Sequence, residues 1–97
     1  MKQQKETTMF LEVMGESPTT KILDYLLTFI MYDFTISEIS IHANVSRVTT
    51  TKIMKKLLKQ KIIKKTRKMC AATLYDLNRK DVKVKALEKL FEGLLFC

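Results

Sequence analysis

Between Glu38 and Asp76 the chain carries no acidic side chain, yet through much of that stretch an apolar residue returns at every helical turn. Residues 42–61 read HANVSRVTTTKIMKKLLKQK. An exposed helix normally interleaves Glu and Lys at i, i+4 and gains stability from it. Here that compensation is missing: residues 39–75 hold ten basic and no acidic residues, whereas residues 1–34 hold three basic and five acidic. Such a segment must fix its aliphatic side on a core and turn its cationic side toward something negative. Over 97 residues the net charge is +8, which points to a polyanion, nucleic acid first and an anionic membrane surface second.

The flanking pattern supplies the core. A short helix, MFLEVM, is expected after a cap at Thr7 or Thr8 and before Gly15. Ser17 then Pro18 is a second start signal, and Ile22, Leu23, Leu26, Leu27 and Ile30 form the stripe of a helix from about Pro18 to Phe29. Asp33–Ile36 suits a short strand. Ser37 is expected to cap a third helix whose first turn holds Glu38 and whose inner face holds Ile39 and Ala43. Asn44 tolerates the left-handed backbone of a sharp corner, Val45 plugs that corner, and Ser46 caps a fourth helix over about Arg47–Lys59. Its inner positions are Thr50, Ile53, Leu57 and Leu58, with the Thr50 hydroxyl expected to bond back to the preceding turn. Two β-like runs follow, 62–68 and 72–77, with Ile63, Tyr75 and Leu77 facing inward. Asn78 is expected to cap a last helix with Val84, Leu87, Leu90, Phe91, Leu94 and Leu95 on a broad apolar face.

A short helix, a tight corner, a longer helix and a two-stranded hairpin make a winged helix-turn-helix, mainly α with a small β-hairpin. The stretches FLEVMGESP and VSRVTTTKIMKKLLKQKIIKKTRK resemble winged helix-turn-helix transcription regulators of archaea and bacteria, the archaeal ones especially. The likeness runs from about Phe10 to Phe96. It implies a small homodimeric DNA-binding regulator. The polar start, MKQQKETT, has no apolar signal-peptide core, so a cytoplasmic, nucleoid-associated location is expected. The pattern along the chain divides it into a flexible N-terminus (1–8), a winged domain (9–78) and a C-terminal dimerisation helix (79–97).

The chemistry of reading a duplex independently asks for what residues 46–68 contain. Base edges are met by short hydroxyl and methyl side chains and by long donors, here Ser46, Arg47, Val48, Thr49, Thr51 and Lys52. Phosphates suit Ser37, Lys55, Lys56 and Lys59, and, on the wing, Lys64, Lys65, Arg67 and Lys68. The wing tip, Met69-Cys70-Ala71-Ala72, has no Gly, Asn or Asp, so a wider loop or an imperfect turn is expected there.

The last helix is too apolar for one small core. Together with the first it is expected to form a twofold interface through Phe10, Leu11, Met14, Leu87, Leu90, Phe91, Leu94 and Leu95, placing two reading helices about 34 Å apart. The competing arrangement folds the last helix back on its own domain. Cys70, Cys97 and the single His42 do not make a structural zinc site, and no metal or cofactor is expected. An enzyme finds little support: only two Gly residues are present, and there is no Gly-rich phosphate loop and no carboxylate pair beside His42. No apolar run approaches the roughly 20 residues that span a bilayer. The remaining alternative is a winged-helix module that docks on an acidic protein.

Overall fold

The computed structural model describes residues 9–95, the side chain of Leu95 excepted. The expected caps at Thr7 or Thr8, the tail 1–8, Phe96 and Cys97 lie outside the described residues. The elements run α1 (Met9–Met14), α2 (Pro18–Thr28), α3 (Ile36–Ala43), α4 (Arg47–Lys59), β1 (Ile63–Met69), β2 (Ala72–Leu77) and α5 (Val82–Leu95).

Local chemistry accounts for each boundary. Gly15, at φ +88°, leaves α1 through a left-handed residue, and its N–H donates to the Leu11 carbonyl at 2.8 Å. α2 opens on a capping box. The Thr20 N–H donates to Ser17 Oγ at 3.2 Å and the Ser17 N–H to Thr20 Oγ1 at 2.8 Å, so Thr takes the place usual for Glu or Gln. The helix stops at Thr28, one residue before the expected end, because Phe29 leaves helical geometry. α3 starts earlier than expected. Thr35, not Ser37, is its cap: the Glu38 N–H donates to Thr35 Oγ1, and the Thr35 N–H donates to the Glu38 carboxylate at 2.9 Å.

The corner at Asn44 is as expected, with φ 59° and ψ 48°, and the Val45 N–H closes back on the Ser40 carbonyl at 3.0 Å. α4 ends by the same device. Lys61 is left-handed at φ 65°, and the Ile62 N–H reaches the Leu57 carbonyl at 2.9 Å. Such a 6→1 closure usually uses Gly. Asn78 steadies this Lys: its side-chain amide donates to the Lys61 carbonyl at 3.2 Å. Asn78 therefore does not cap α5. Asp81 does, accepting the Lys83 N–H at 2.8 Å.

β1 and β2 pair antiparallel from Ile63↔Leu77 to Met69↔Ala72, with a bulge between Lys65 and Arg67. The expected strand at 33–36 shrinks to a single bridge, Phe34↔Tyr75. The hairpin tip is not a wide loop. Cys70 and Ala71 make a two-residue turn, closed by placing Cys70 at φ 57°. β2 is covered on both sides: Leu77 is fully buried and Tyr75 half-buried on one, while Leu74 is buried on the other, since alternate residues face opposite ways.

One core joins all of this. Ile22, Leu26 and Leu27 of α2, Ile39 and Ala43 of α3, Leu57 of α4, and Ile63 and Leu77 of the hairpin are buried in it. So is Met54, which replaces Ile53 as the deep anchor of α4; Ile53 and Leu58 are only partly buried. Thr50 is fully buried, but its hydroxyl has no hydrogen-bond partner, so the expected bond to the preceding turn is not made. Phe10 and Leu11 of α1 and Val84 and Phe91 of α5 belong to the same core. Of the residues expected at a twofold interface, Phe10, Leu11 and Phe91 are thus enclosed by their own chain. Met14 and Leu90 are exposed, and Leu87 and Leu94 are half-buried.

Candidate nucleic-acid interface

Ser46 fixes the start of α4. Its Oγ accepts the Thr49 N–H at 3.2 Å and donates to Thr49 Oγ1 at 2.9 Å. One turn later Thr51 Oγ1 donates to the Arg47 carbonyl at 2.8 Å. The Ser46 and Thr51 hydroxyls therefore have their protons engaged within the helix and offer oxygen lone pairs, which suits donors such as cytosine N4 or adenine N6 amino groups.

With Thr50, Met54 and Leu57 buried, the opposite side of α4 is set by helical spacing. Val48, Lys52, Lys55 and Lys59 succeed one another at four- and three-residue steps along its solvent side, and all are exposed. Val48, at 67% exposure, is an aliphatic side chain left out of the core. Thr49 and Thr51 flank the stripe, half-buried, and Arg47 and Lys56 stand exposed at its margins.

Arg47 also faces a shallow cleft of about 260 Å³ that it shares with Thr35, Ile36 and Ser37 of the α3 start and Ala71, Ala72, Thr73 and Tyr75 of the wing. Ser37 and Arg47 are thus brought together, with β2 as the third wall. No sequence signal marks Thr73 or Tyr75 as neighbours of Ser37, because the contact joins distant segments.

On the wing Lys64, Lys65 and Lys68 are exposed. Arg67 differs. Its Nε donates to Asp33 Oδ2 at 3.0 Å and its Nη2 to Asp33 Oδ1 at 3.2 Å, while Thr66 Oγ1 donates to Asp33 Oδ2 at 2.6 Å. Two of the guanidinium's five donors therefore face a carboxylate while the side chain stays 58% exposed, so the charge of Arg67 is already partnered. Hydrogen bonds from Arg67, then Thr66, hold the Asp33 carboxyl below its ordinary pKa, and the same contact raises Arg67. The acid missing from residues 39–75 is supplied across space from the α2–α3 loop. Asp76 shows the reverse: burial pushes its carboxyl up, against the pull of the Leu77 N–H.

An aromatic group braces the α2–α3 side. Tyr25 lies 4.8 Å from Phe34 and 5.2 Å from Phe29 between ring centroids, and His42 stacks on it at 5.5 Å and 4°. His42 is exposed. Burial raises the Tyr25 phenol, and the Glu38 charge adds to this.

No family model matches the sequence, and no curated protein matches it. Solved structures do. HlyU from Vibrio vulnificus, a transcriptional regulator, superposes with a TM-score of 0.64 over 92% of this chain and 85% of its own, at 20% identity. ZitR from Lactococcus lactis, as a mutant in apo form, gives 0.63 over 88% of this chain and 67% of its own, at 25% identity. The adhesin competence repressor AdcR from Streptococcus pyogenes gives 0.62 over 89% and 66%, at 17% identity. The fold is that of winged-helix transcription regulators. In another ZitR superposition the chain spans about half, 52%, of the ZitR length. Within the winged helix, α3 and α4 are the helix pair and the β1–β2 hairpin is the wing. No helix among the described residues is long and apolar enough to cross a membrane.

Proposed function

We propose that the chain is a sequence-specific, double-stranded-DNA-binding transcription regulator that acts as a homodimer, most similar in its recognition segment to archaeal winged-helix regulators. α4 enters the major groove and the wing lies on the backbone or in the minor groove. The observation that carries this reading is the outer face of α4: Val48, Lys52, Lys55 and Lys59 in line, with Thr49 and Thr51 beside them, on a helix anchored by Met54 and Leu57. Val48 and the Thr methyls meet thymine methyls, Arg47 and Lys52 reach guanine, and Lys55, Lys56 and Lys59 meet phosphate. Lys64, Lys65 and Lys68 add backbone contacts.

A second copy covers the exposed apolar side chains at the two ends of the chain. Met9, Val13 and Met14 of α1 and Val82 and Leu90 of α5 are exposed, with Leu87 and Leu94 partly so and Leu95 adjoining them in sequence. An apolar surface of this kind on a small domain fits an isologous interface, and residues 79–97 then act as the dimerisation segment.

Selection of bound duplexes from a random pool tests the reading directly: an enriched, two-fold related motif is expected. If a dimer neutralises about ten phosphates, affinity falls on the order of 10⁵-fold between about 50 and 200 mM salt. No enrichment and a flat salt dependence would instead favour a winged-helix module that docks on an acidic protein, the reading that the exposed cations also allow.

A further inference from the structure

We infer that Asp33 and Arg67 are a positioning pair that sets the direction of the wing against the DNA backbone, and that Arg67 is not itself a phosphate ligand. The inference rests on the DNA-binding reading above.

Two consecutive residues grip both strands of the hairpin. Asp33 takes β1, through the Thr66 hydroxyl at 2.6 Å and the Arg67 guanidinium at 3.0 and 3.2 Å. Phe34 takes β2, exchanging backbone hydrogen bonds with Tyr75, both at 2.8 Å. The grip falls on the bulge between Lys65 and Arg67, where the strand bends and its twist increases. An isolated two-stranded ribbon is marginally stable in water and has no fixed direction of its own. This one is fixed at mid-strand.

The other end of the grip is firm. Phe34 packs on Tyr25 at 4.8 Å, and Thr35, next in sequence, caps α3. The wing is therefore tied to the helix pair that carries α4. Lys64 and Lys65 precede the tie on β1 and Lys68 follows it, so their reach toward phosphates depends on how the strand leaves Thr66 and Arg67.

The sign of one effect separates this from simple electrostatics. Deleting the Asp33 charge makes the surface more positive, which by itself tightens polyanion binding. Loss of positioning weakens it.

The test is equilibrium binding of the full chain to a random-sequence duplex, followed by fluorescence anisotropy at stepped potassium chloride concentrations. Asp33→Asn is expected to weaken binding about twofold to fivefold. Arg67→Gln should weaken it similarly with an unchanged log–log salt slope, while Lys65→Gln flattens that slope by about 0.9 per protomer. The reversed pair, Asp33→Arg with Arg67→Asp, should recover most of the affinity. Tighter binding and a steeper slope in Asp33→Asn would overturn the inference. So would a slope in Arg67→Gln that flattens as in Lys65→Gln, a result readable even if Asp33→Asn fails to fold. Salt-independent behaviour of the unaltered chain, in contrast, would overturn the DNA-binding reading and this inference with it.

Discussion

Phe10 on α1 meets Phe91 on α5 edge to face, with ring centroids 5.7 Å apart, and both rings are almost wholly buried. The first and last helices thus close the core of one winged domain. Truncating either ring removes a large buried area and leaves a cavity, so Phe10→Ala and Phe91→Ala should each cost about 3–5 kcal/mol. Urea denaturation at fixed protein concentration measures this.

Leu90 has the opposite place, exposed on the same helix. Leu90→Asp should leave the far-ultraviolet spectrum unchanged and shift the species seen by sedimentation velocity from dimer to monomer. An unaltered sedimentation coefficient would remove the terminal helices from the dimer proposal.

Thr50 is buried at 0% exposure with its hydroxyl unpartnered. Burying a hydroxyl without a partner costs about 1–3 kcal/mol. Thr50→Val keeps the shape and removes the polar group, so it should stabilise the fold by about 1 kcal/mol. A rise in the urea midpoint at constant m-value is the expected result, and a fall would show that the hydroxyl is satisfied in solution.

Cys70 occupies a left-handed position in a two-residue turn. A side chain there costs roughly 1–2 kcal/mol, partly offset by the greater unfolded-state entropy of Gly. Cys70→Gly should therefore stabilise the protein by about 0.5–1 kcal/mol. Hydrogen exchange of the hairpin amides should slow with it.

Asp33 and Asp76 carry opposite pH signatures. The Asp33 carboxyl is depressed by Arg67 and Thr66, so its stabilisation is present above the unfolded-state pKa and is lost as pH falls through the folded one. The Asp76 carboxyl is raised by burial; its contribution is full below the unfolded-state pKa and is lost as pH rises through the folded one. Asp33→Asn should accordingly destabilise at neutral pH, and Asp76→Asn, which keeps an oxygen for the Leu77 N–H at 2.7 Å, should stabilise. Both differences should shrink on acidification, which urea titrations at several pH values would show.

The order of elements was written locally. On α4 Met54 takes the deep position expected of Ile53. Ser17-Pro18, Asn44, Ser46 and the apolar spacing of α2, however, act within one or two turns, so these helix ends and that inner face follow from neighbours in sequence. The same holds for the outer face of α4, because fixing the inward residues of a helix fixes the outward ones. The structure departs from the local pattern where two residues compete for one local role. Thr35 displaced Ser37 because Glu38 sits three residues after it and completes the capping box; Asp81 displaced Asn78, which is held instead by Lys61.

What needed the assembled molecule was every relationship between distant segments. The Asp33 carboxylate reaches Arg67 across the wing, Phe34 borders Tyr75, and Phe10 is enclosed by Phe91. Periodicity states which side of an element is apolar but not which surface will cover it, and charge counting states how many cations a stretch holds but not which of them finds an acid. Close packing makes those choices, since a buried ring or a paired guanidinium depends on what the rest of the chain brings within a few ångströms.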